Sequence, residues 1–469
     1  AQNINIPIYS IQGMSDGYTD TTFKIKELPI SSPVKCLLGP WGHDWPDQAQ
    51  PGPQVGYLQE VTRYFKKHLK GNHKVTRQQE KEDDIVVFVQ DGGGNLPSRK
   101  VKEVKGKFVT LPSSSPSLGR LNVNVHWSNK EIVFEQGKKE KGEEGFVEIP
   151  FHLISGLDTG DWLGWGSAEL AGSPPCQREE IQKTLWCSSS ELESPFVIVG
   201  LPEVSLTVKV DQPVAQLFIR LLDFHSSSPS APVTLITKGA FNLNHYLSAS
   251  SPTPLPINQP LEISFSLNTA SYCVPAGHSL GVSLSSSAFP LLWPPPTPVS
   301  VFVSACSISL PTLDHNFYVS CPTPPHLNSS LFPPFCLSST EYLRDISAEQ
   351  PPRRVVEKDL TTGTHTISLI QDFGGYEITE TGMKYWEKET DCWIIQEDDP
   401  TSARSESEVE VRMAHNGVEI GVVGRIEMGC DEKQFTVRTI LRGSKKKDGE
   451  TEKEVYKRDK SYQVPRVFL

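Results

Sequence analysis

The chain is 469 residues long, beyond the ~250–300 residues at which a single core stops growing, so two or three domains are expected. Hydrophobic residues at 37% suffice for packed cores, and 38 prolines with 34 glycines favour turn-rich β architecture over helical bundles. A net charge of −11 argues against a nucleic-acid partner, and no membrane span is expected because the most apolar region, 288–308, is broken by Pro294-Pro-Pro296 and Pro298.

In chain order, an apolar segment from Ile4 to Ile11 runs into the Gly-rich turn Gly13-Met-Ser-Asp16-Gly-Tyr18 and then a helix. A second apolar segment, Val34 to Leu38, delivers Gly39-Pro-Trp-Gly-His43. This is the pattern of two successive βα units. Asp16 and His43 are 27 residues apart, about one repeat of a ~30-residue βαβ unit. In an α/β-hydrolase the triad runs Ser, Asp or Glu, His, each on a loop after a strand. A buried carboxylate there fixes the imidazole tautomer, and the imidazole takes the nucleophile's proton. The competing reading has Asp16 cap a helix and His43 end a turn; from pattern alone the two stand level.

Residues 72–84 are polar and charged, as in a linker, and beyond them helical periodicity nearly disappears. Ile85–Gln90 and Gly106–Leu111 read as strands. Between 190 and 303 short alternating segments recur at Phe196–Gly200, Val204–Val210, Ala215–Leu221, Val233–Thr237, Leu261–Leu267 and Leu280–Leu284. Pro, Gly, Asn and Asp turns separate them, which fits an antiparallel, jelly-roll-like β-sandwich. Past 340, Ile367–Ile370, Cys392–Ile395, Val409–Arg412 and Phe435–Leu441 are strand-like, with a turn at Asp398-Asp-Pro400.

The nucleophile-elbow pattern G-x-S-x-G occurs twice. Gly13-Met-Ser15-Asp-Gly17 lies between strand and helix, but as nucleophile Ser15 would precede His43 by one unit where the fold normally places several. Gly277-His-Ser279-Leu-Gly281 follows Pro275 and leads into an alternating, strand-like run where an elbow needs a helix. Both are set aside, and the serine is expected upstream of residue 1. The nine cysteines show no C-x-x-C pair and read mostly as free thiols, although Cys306, Cys321 and Cys336 could pair in an oxidising compartment. His43, Asp44 and Asp47 read as a capped helix start rather than a metal site.

Ser15-Asp-Gly-Tyr18, Leu37-Leu-Gly-Pro-Trp-Gly-His43 and Arg63-Tyr-Phe-Lys-Lys-His-Leu-Lys-Gly71 resemble the cocaine-esterase/glutaryl-acylase (CocE/NonD) hydrolases. That family usually has an aspartate where this chain has Lys66. Gly200-Leu-Pro-Glu203, Leu217-Phe-Ile-Arg-Leu-Leu-Asp223, Gly239-Ala-Phe-Asn-Leu-Asn-His245 and Ala276-Gly-His278 resemble the C-terminal domain of the related X-Pro dipeptidyl-peptidases. Ser279 stands where that family has arginine.

The resemblance implies a mainly β chain. The C-terminal piece of an α/β-hydrolase domain (1–73) precedes a jelly-roll-like sandwich (85–310), and a β-rich extension (311–469) completes the sandwich. It implies a serine hydrolase acting on small ester, amide or peptide substrates, with Asp16 and His43 catalytic and no cofactor. Dipeptidyl-peptidase activity is the family-level expectation, and the isolated chain is expected to be inactive. It further implies that Tyr18 faces the substrate and that Trp162, in Asp161-Trp-Leu-Gly-Trp-Gly166, walls an acyl pocket, against the alternative of a core anchor. His245, His278, Arg220 and Asp223 are read as structural, the last two as an ion pair or a solvated strand face. The competing class is a noncatalytic jelly-roll binding or scaffold protein with a vestigial hydrolase segment.

Overall fold

A computed structural model describes residues 4–70, 85–111, 118–134, 145–164, 172–328, 333–334 and 343–468. The linker segment 72–84 and Trp165 lie outside these. The chain divides into two units, one of residues 1–291 and 300–336, the other of residues 292–299 and 337–469. The fold is mainly β.

The first unit opens with β1 (Ile8–Gly13), α1 (Thr21–Glu27), β2 (Val34–Gly39) and α2 (Tyr57–Leu69), followed by β3 (Ile85–Asp91) and β4 (Gly106–Leu111). β1, β2 and β3 pair in parallel, and β4 turns back antiparallel on β3. The continuous apolar runs of β2 and β3 reflect burial on both faces, as parallel strands require. Leu38, Val87 and Val89 pack to one side with Val197, Val199 and Leu313, while Leu37, Val86 and Phe88 pack to the other with Trp41 and Phe108.

β3 also pairs in parallel with the strand Ala270–Val274, so β1 to β3 and the antiparallel strands beyond them share one hydrogen-bonded sheet. Among the described residues that sheet has sixteen strands. The alternating segments at 196–285 all fall on strands. Val301–Leu313, a further long strand, bridges Glu203–Val210, Leu118–His126 and Phe196–Gly200. α1 begins at Thr21, three residues past Tyr18, because Asp16 turns the chain first by accepting the Tyr18 amide.

The second unit carries its own sheet, in which Leu343–Ile346 and Arg353–Asp359 pair with Thr364–Ile378 and five more strands follow as a meander. Of the extension expected at 311–469, residues 311–336 stay with the first unit, and the strands from Leu343 onward pair within this sheet. Its meander strands run 13–17 residues, and each pairs with its neighbours in sequence, which tight turns such as residues 397–398 permit. Residues 292–299 join it because Trp293 donates to Cys430 Sγ at 3.3 Å, its ring meets Phe435, and Arg466 donates to the Pro294 carbonyl at 2.5 Å.

α2 is fastened to β1 and β2 by one buried carboxylate. Glu60 accepts from Tyr9 Oη at 2.8 Å, Lys35 Nζ at 2.5 Å and Arg63 Nη2 at 2.8 Å. Burial alone would raise this carboxyl, but the hydrogen bond from Arg63 and the charge and hydrogen bond of Lys35 outweigh it and hold it at about 2. The folded value lies below the ordinary 4.5, so the stabilisation is full above pH 4.5 and is lost as pH falls toward 2. It is on the order of 3 kcal/mol at neutral pH. Urea unfolding of the wild type and Glu60→Gln should differ by about that much at pH 7, and the gap should narrow steadily below pH 4.5.

Candidate active site

The ends of β1 and β2 are level, with Gly13 opposite Gly39. Both positions need glycine: a Cβ on Gly13 would stand 2.1 Å from the Trp41 carbonyl oxygen, and one on Gly39 2.5 Å from the buried Trp41 ring. The loops that follow are laced together by Met14 N donating to Gly39 O and Ser15 N to Trp41 O, both at 2.9 Å. Asp16 thus sits three residues beyond one strand end and His43 four beyond the next. Their side chains meet, with His43 Nδ1 3.1 Å from Asp16 Oδ2. The Asp16 side chain is 11% exposed and that of His43 41%, so the carboxylate is sheltered and the imidazole reaches solvent.

The structure also brings the other two predicted residues close. The Tyr18 ring lies 5.8 Å from the His43 ring, and the Tyr18 side of the turn is open to solvent. The loop bearing Trp162 reaches the site through its backbone, since His43 N donates to Gly164 O at 2.8 Å. Beneath lies a cavity of about 870 Å³, lined among others by Met14, Asp16, Trp162, Lys238 and Tyr272. Asp16 and Trp162 line it; Tyr18 and His43 stand outside its lining.

The two elbow-like serines are placed differently. Ser15 Oγ donates to the Pro40 carbonyl at 3.1 Å, on the turn between β1 and α1. Ser279 is buried at the start of the strand Ser279–Ser285 with no helix after it. Asp44 accepts from Trp45 N and Gln48 Nε2 and so shapes a turn. The eight described cysteines are free, Cys306 and Cys321 included, while Cys336 lies outside the described residues.

Arg220 and Asp223 are not on a solvated face: both are fully buried. Arg220 lies 3.5 Å from Glu180, donates to the Ser155 carbonyl, and donates to Thr159 Oγ1 at 3.0 Å. Lys238 adds bonds to the Thr159 and Asp161 carbonyls at 3.2 and 2.9 Å, with its ammonium 5.5 Å from the centre of the Trp162 ring. These two cations hold the loop that carries Trp162. Burial lowers the Arg220 guanidinium to about 10, against the pull of Glu180. His245 is tied within its turn to the Ser248 carbonyl at 3.0 Å, and His278 to Asp223 at 2.9 Å.

Sequence reasoning missed a clasp between the start of α1 and the loop that precedes the strand Ala270–Val274. Asp20, at the start of α1, accepts from Thr269 N at 2.8 Å and Thr269 Oγ1 at 3.2 Å. It also missed Glu180 as the partner of Arg220, which the separation of 40 residues concealed.

Breaking a buried charge pair from one side is costly because the survivor is left uncompensated. Arg220→Met should destabilise the first unit by about 3–5 kcal/mol, and the double variant Arg220→Met with Glu180→Met should recover part of the loss in equilibrium denaturation.

Residues 59–310 match the family described as the X-Pro dipeptidyl-peptidase C-terminal non-catalytic domain. A Bacillus anthracis protein named for Xaa-Pro dipeptidyl-peptidase activity is 23% identical over 200 residues, which are 43% of this chain and 30% of that protein. An aminopeptidase from the marine sediment archaeon Thaumarchaeota archaeon superposes with a TM-score of 0.49 at 16% identity, over 66% of this chain and 55% of that one. A CocE/NonD family hydrolase from Staphylococcus aureus gives a TM-score of 0.43 at 10% identity, over 66% and 54%. The chain therefore spans about a third of the curated relative and about half of these solved chains.

Proposed function

The chain belongs to the family of the X-Pro dipeptidyl-peptidase C-terminal non-catalytic domain, and on that premise we propose that its first 70 residues supply the acid and the histidine of a serine hydrolase. The nucleophile stands on polypeptide outside residues 1–469, and the product is a hydrolysed ester or amide, with dipeptides released from peptides as the family-level substrate class. The observation that carries this reading is the 3.1 Å contact of His43 Nδ1 with Asp16 Oδ2 at two adjacent parallel strand ends, beside a cavity that Asp16 lines. The matched region begins at residue 59, so the pair precedes the part of the family described as non-catalytic.

In this reading Asp16 holds the imidazole with its proton on Nδ1, which leaves Nε2 to accept the serine proton as the acyl-enzyme forms. The same nitrogen returns the proton to the leaving group, and a water then repeats the cycle. The partly exposed His43 is where a nucleophile from further chain can approach. β1 pairs on one side only among the described residues, and a parallel sheet of this kind is usually continued or covered, so its open edge suits additional strands. Tyr18 then flanks the acyl group and Trp162 lines its pocket. The noncatalytic scaffold reading differs in expecting no active serine anywhere in the gene product.

The test uses the complete gene product. It should react with a fluorophosphonate probe, and Asp16→Asn should lower kcat by about 10⁴-fold with His43→Ala at least as damaging. Residues 1–469 alone should not turn over nitrophenyl esters. Absence of labelling in the complete protein, or activity indifferent to His43→Ala, overturns the assignment. Turnover by residues 1–469 that Ser15→Ala removes would transfer the nucleophile's role to Ser15.

A further inference from the structure

A second cluster of ionisable side chains lies at the far end of the strand that holds Arg220. Asp223, fully buried on the strand Gln216–Phe224, sits opposite Thr234 on one neighbouring strand and Leu280 on the other. That register brings three groups to its carboxylate. His278 Nδ1 lies 2.9 Å from Oδ1, Tyr272 Oη donates to Oδ2 at 2.8 Å, and His225 Nε2 stands 3.9 Å from Oδ2. The two imidazoles stack with ring centres 4.7 Å apart, so both edges face the same carboxylate. One donor atom from each of Asp223, His225 and His278 lies within 4.8 Å of the others.

We propose that Asp223, His225 and His278 form a binding site for a zinc-like divalent transition metal, with water in the remaining position. Two imidazoles and one carboxylate are a donor set that zinc accepts, at about 2.0–2.2 Å from each ligand atom. Donors so placed in a tetrahedron lie about 3.3 Å apart; the imidazole nitrogens stand 2.9 Å from Oδ1 and 3.9 Å from Oδ2, and turning the carboxylate to offer one oxygen to both brings the set toward that spacing. Modest side-chain adjustment therefore closes the site. Coordination through His278 Nδ1 moves that imidazole's proton to Nε2, and His225 Nε2 exchanges its 2.8 Å hydrogen bond with Thr234 Oγ1 for the metal.

The surroundings fit a metal centre. Tyr272 orients the carboxylate by hydrogen bonding, as outer-shell partners of metal ligands do. The His225 and His278 side chains keep 12% and 14% exposure, which gives the ion a route in and leaves room for its water. Tyr272 and Thr234 also line the cavity beside Asp16, so the metal would brace the cavity wall from behind.

The chelator-treated whole chain should bind one equivalent of Zn²⁺, and Co²⁺ should give visible ligand-field absorption of low coordination number. His225→Gln, which can keep a hydrogen bond to Thr234, should weaken Zn²⁺ binding by more than the ~100-fold upper end for losing an outer-shell partner, and His278→Gln likewise. X-ray absorption on the zinc-loaded wild type should count two imidazoles with oxygen donors, and this measurement needs no variant to fold. Absence of stoichiometric binding, unchanged affinity in both variants, or sulfur donors from the free cysteines would each overturn the proposal.

Discussion

The level ends of β1 and β2 are the constraint on which the candidate site depends. Parallel pairing puts Gly13 beside Gly39, and the Trp41 ring and carbonyl fill the space that two Cβ atoms would need. With the strand ends fixed, three residues on one loop and four on the other suffice to bring a carboxylate and an imidazole to 3.1 Å. A side chain at either glycine would push the two loops apart, and the pair would separate without either of its members being touched. Trp41, almost wholly buried and hydrogen-bonded to the Pro53 carbonyl at 2.9 Å, is the wedge that sets the spacing.

The antiparallel part of the first unit frames this pair. Its sheet is continuous with β3, and its loops return to the site at Gly164, which accepts the His43 amide, and at Thr269, which grips Asp20. Two cations on paired strands hold the framing loops: the buried Arg220 and the half-buried Lys238. Burying such charges stabilises little in itself, but each carbonyl they satisfy belongs to the segment carrying Trp162. The cavity wall is thus set by long-range polar contacts, and the acid and histidine by local strand geometry.

That difference explains how much could be read from the sequence. The meeting of Asp16 and His43 could be anticipated because it is local, resting on two apolar runs, two Gly-rich turns and a spacing of one βαβ unit, although that pattern alone left a capping role equally open. The strands from 196 to 285 were legible through period-two alternation, including the strand that disqualifies Ser279 as an elbow. The partners of Arg220 and Asp223 were not, since Glu180 and His278 lie 40 and 55 residues away and no local pattern links them. The tail was legible as strands but not as a separate sheet. Its charged residues alternate with apolar ones, and pairs such as Arg438 with Asp459 at 2.7 Å cover one face, so the sequence carries no sign of which sheet it joins.

The central claim is that Asp16 fixes His43 in the form that a serine hydrolase needs. Nitrogen-15 NMR of the histidine side chains reads this directly, because the two ring nitrogens differ strongly in shift when one is protonated. At a pH where the ring is neutral, His43 should be the Nδ1–H tautomer in the wild type and should lose that preference in Asp16→Ala. A wild-type His43 protonated on Nε2, or a tautomer unchanged by Asp16→Ala, would contradict it.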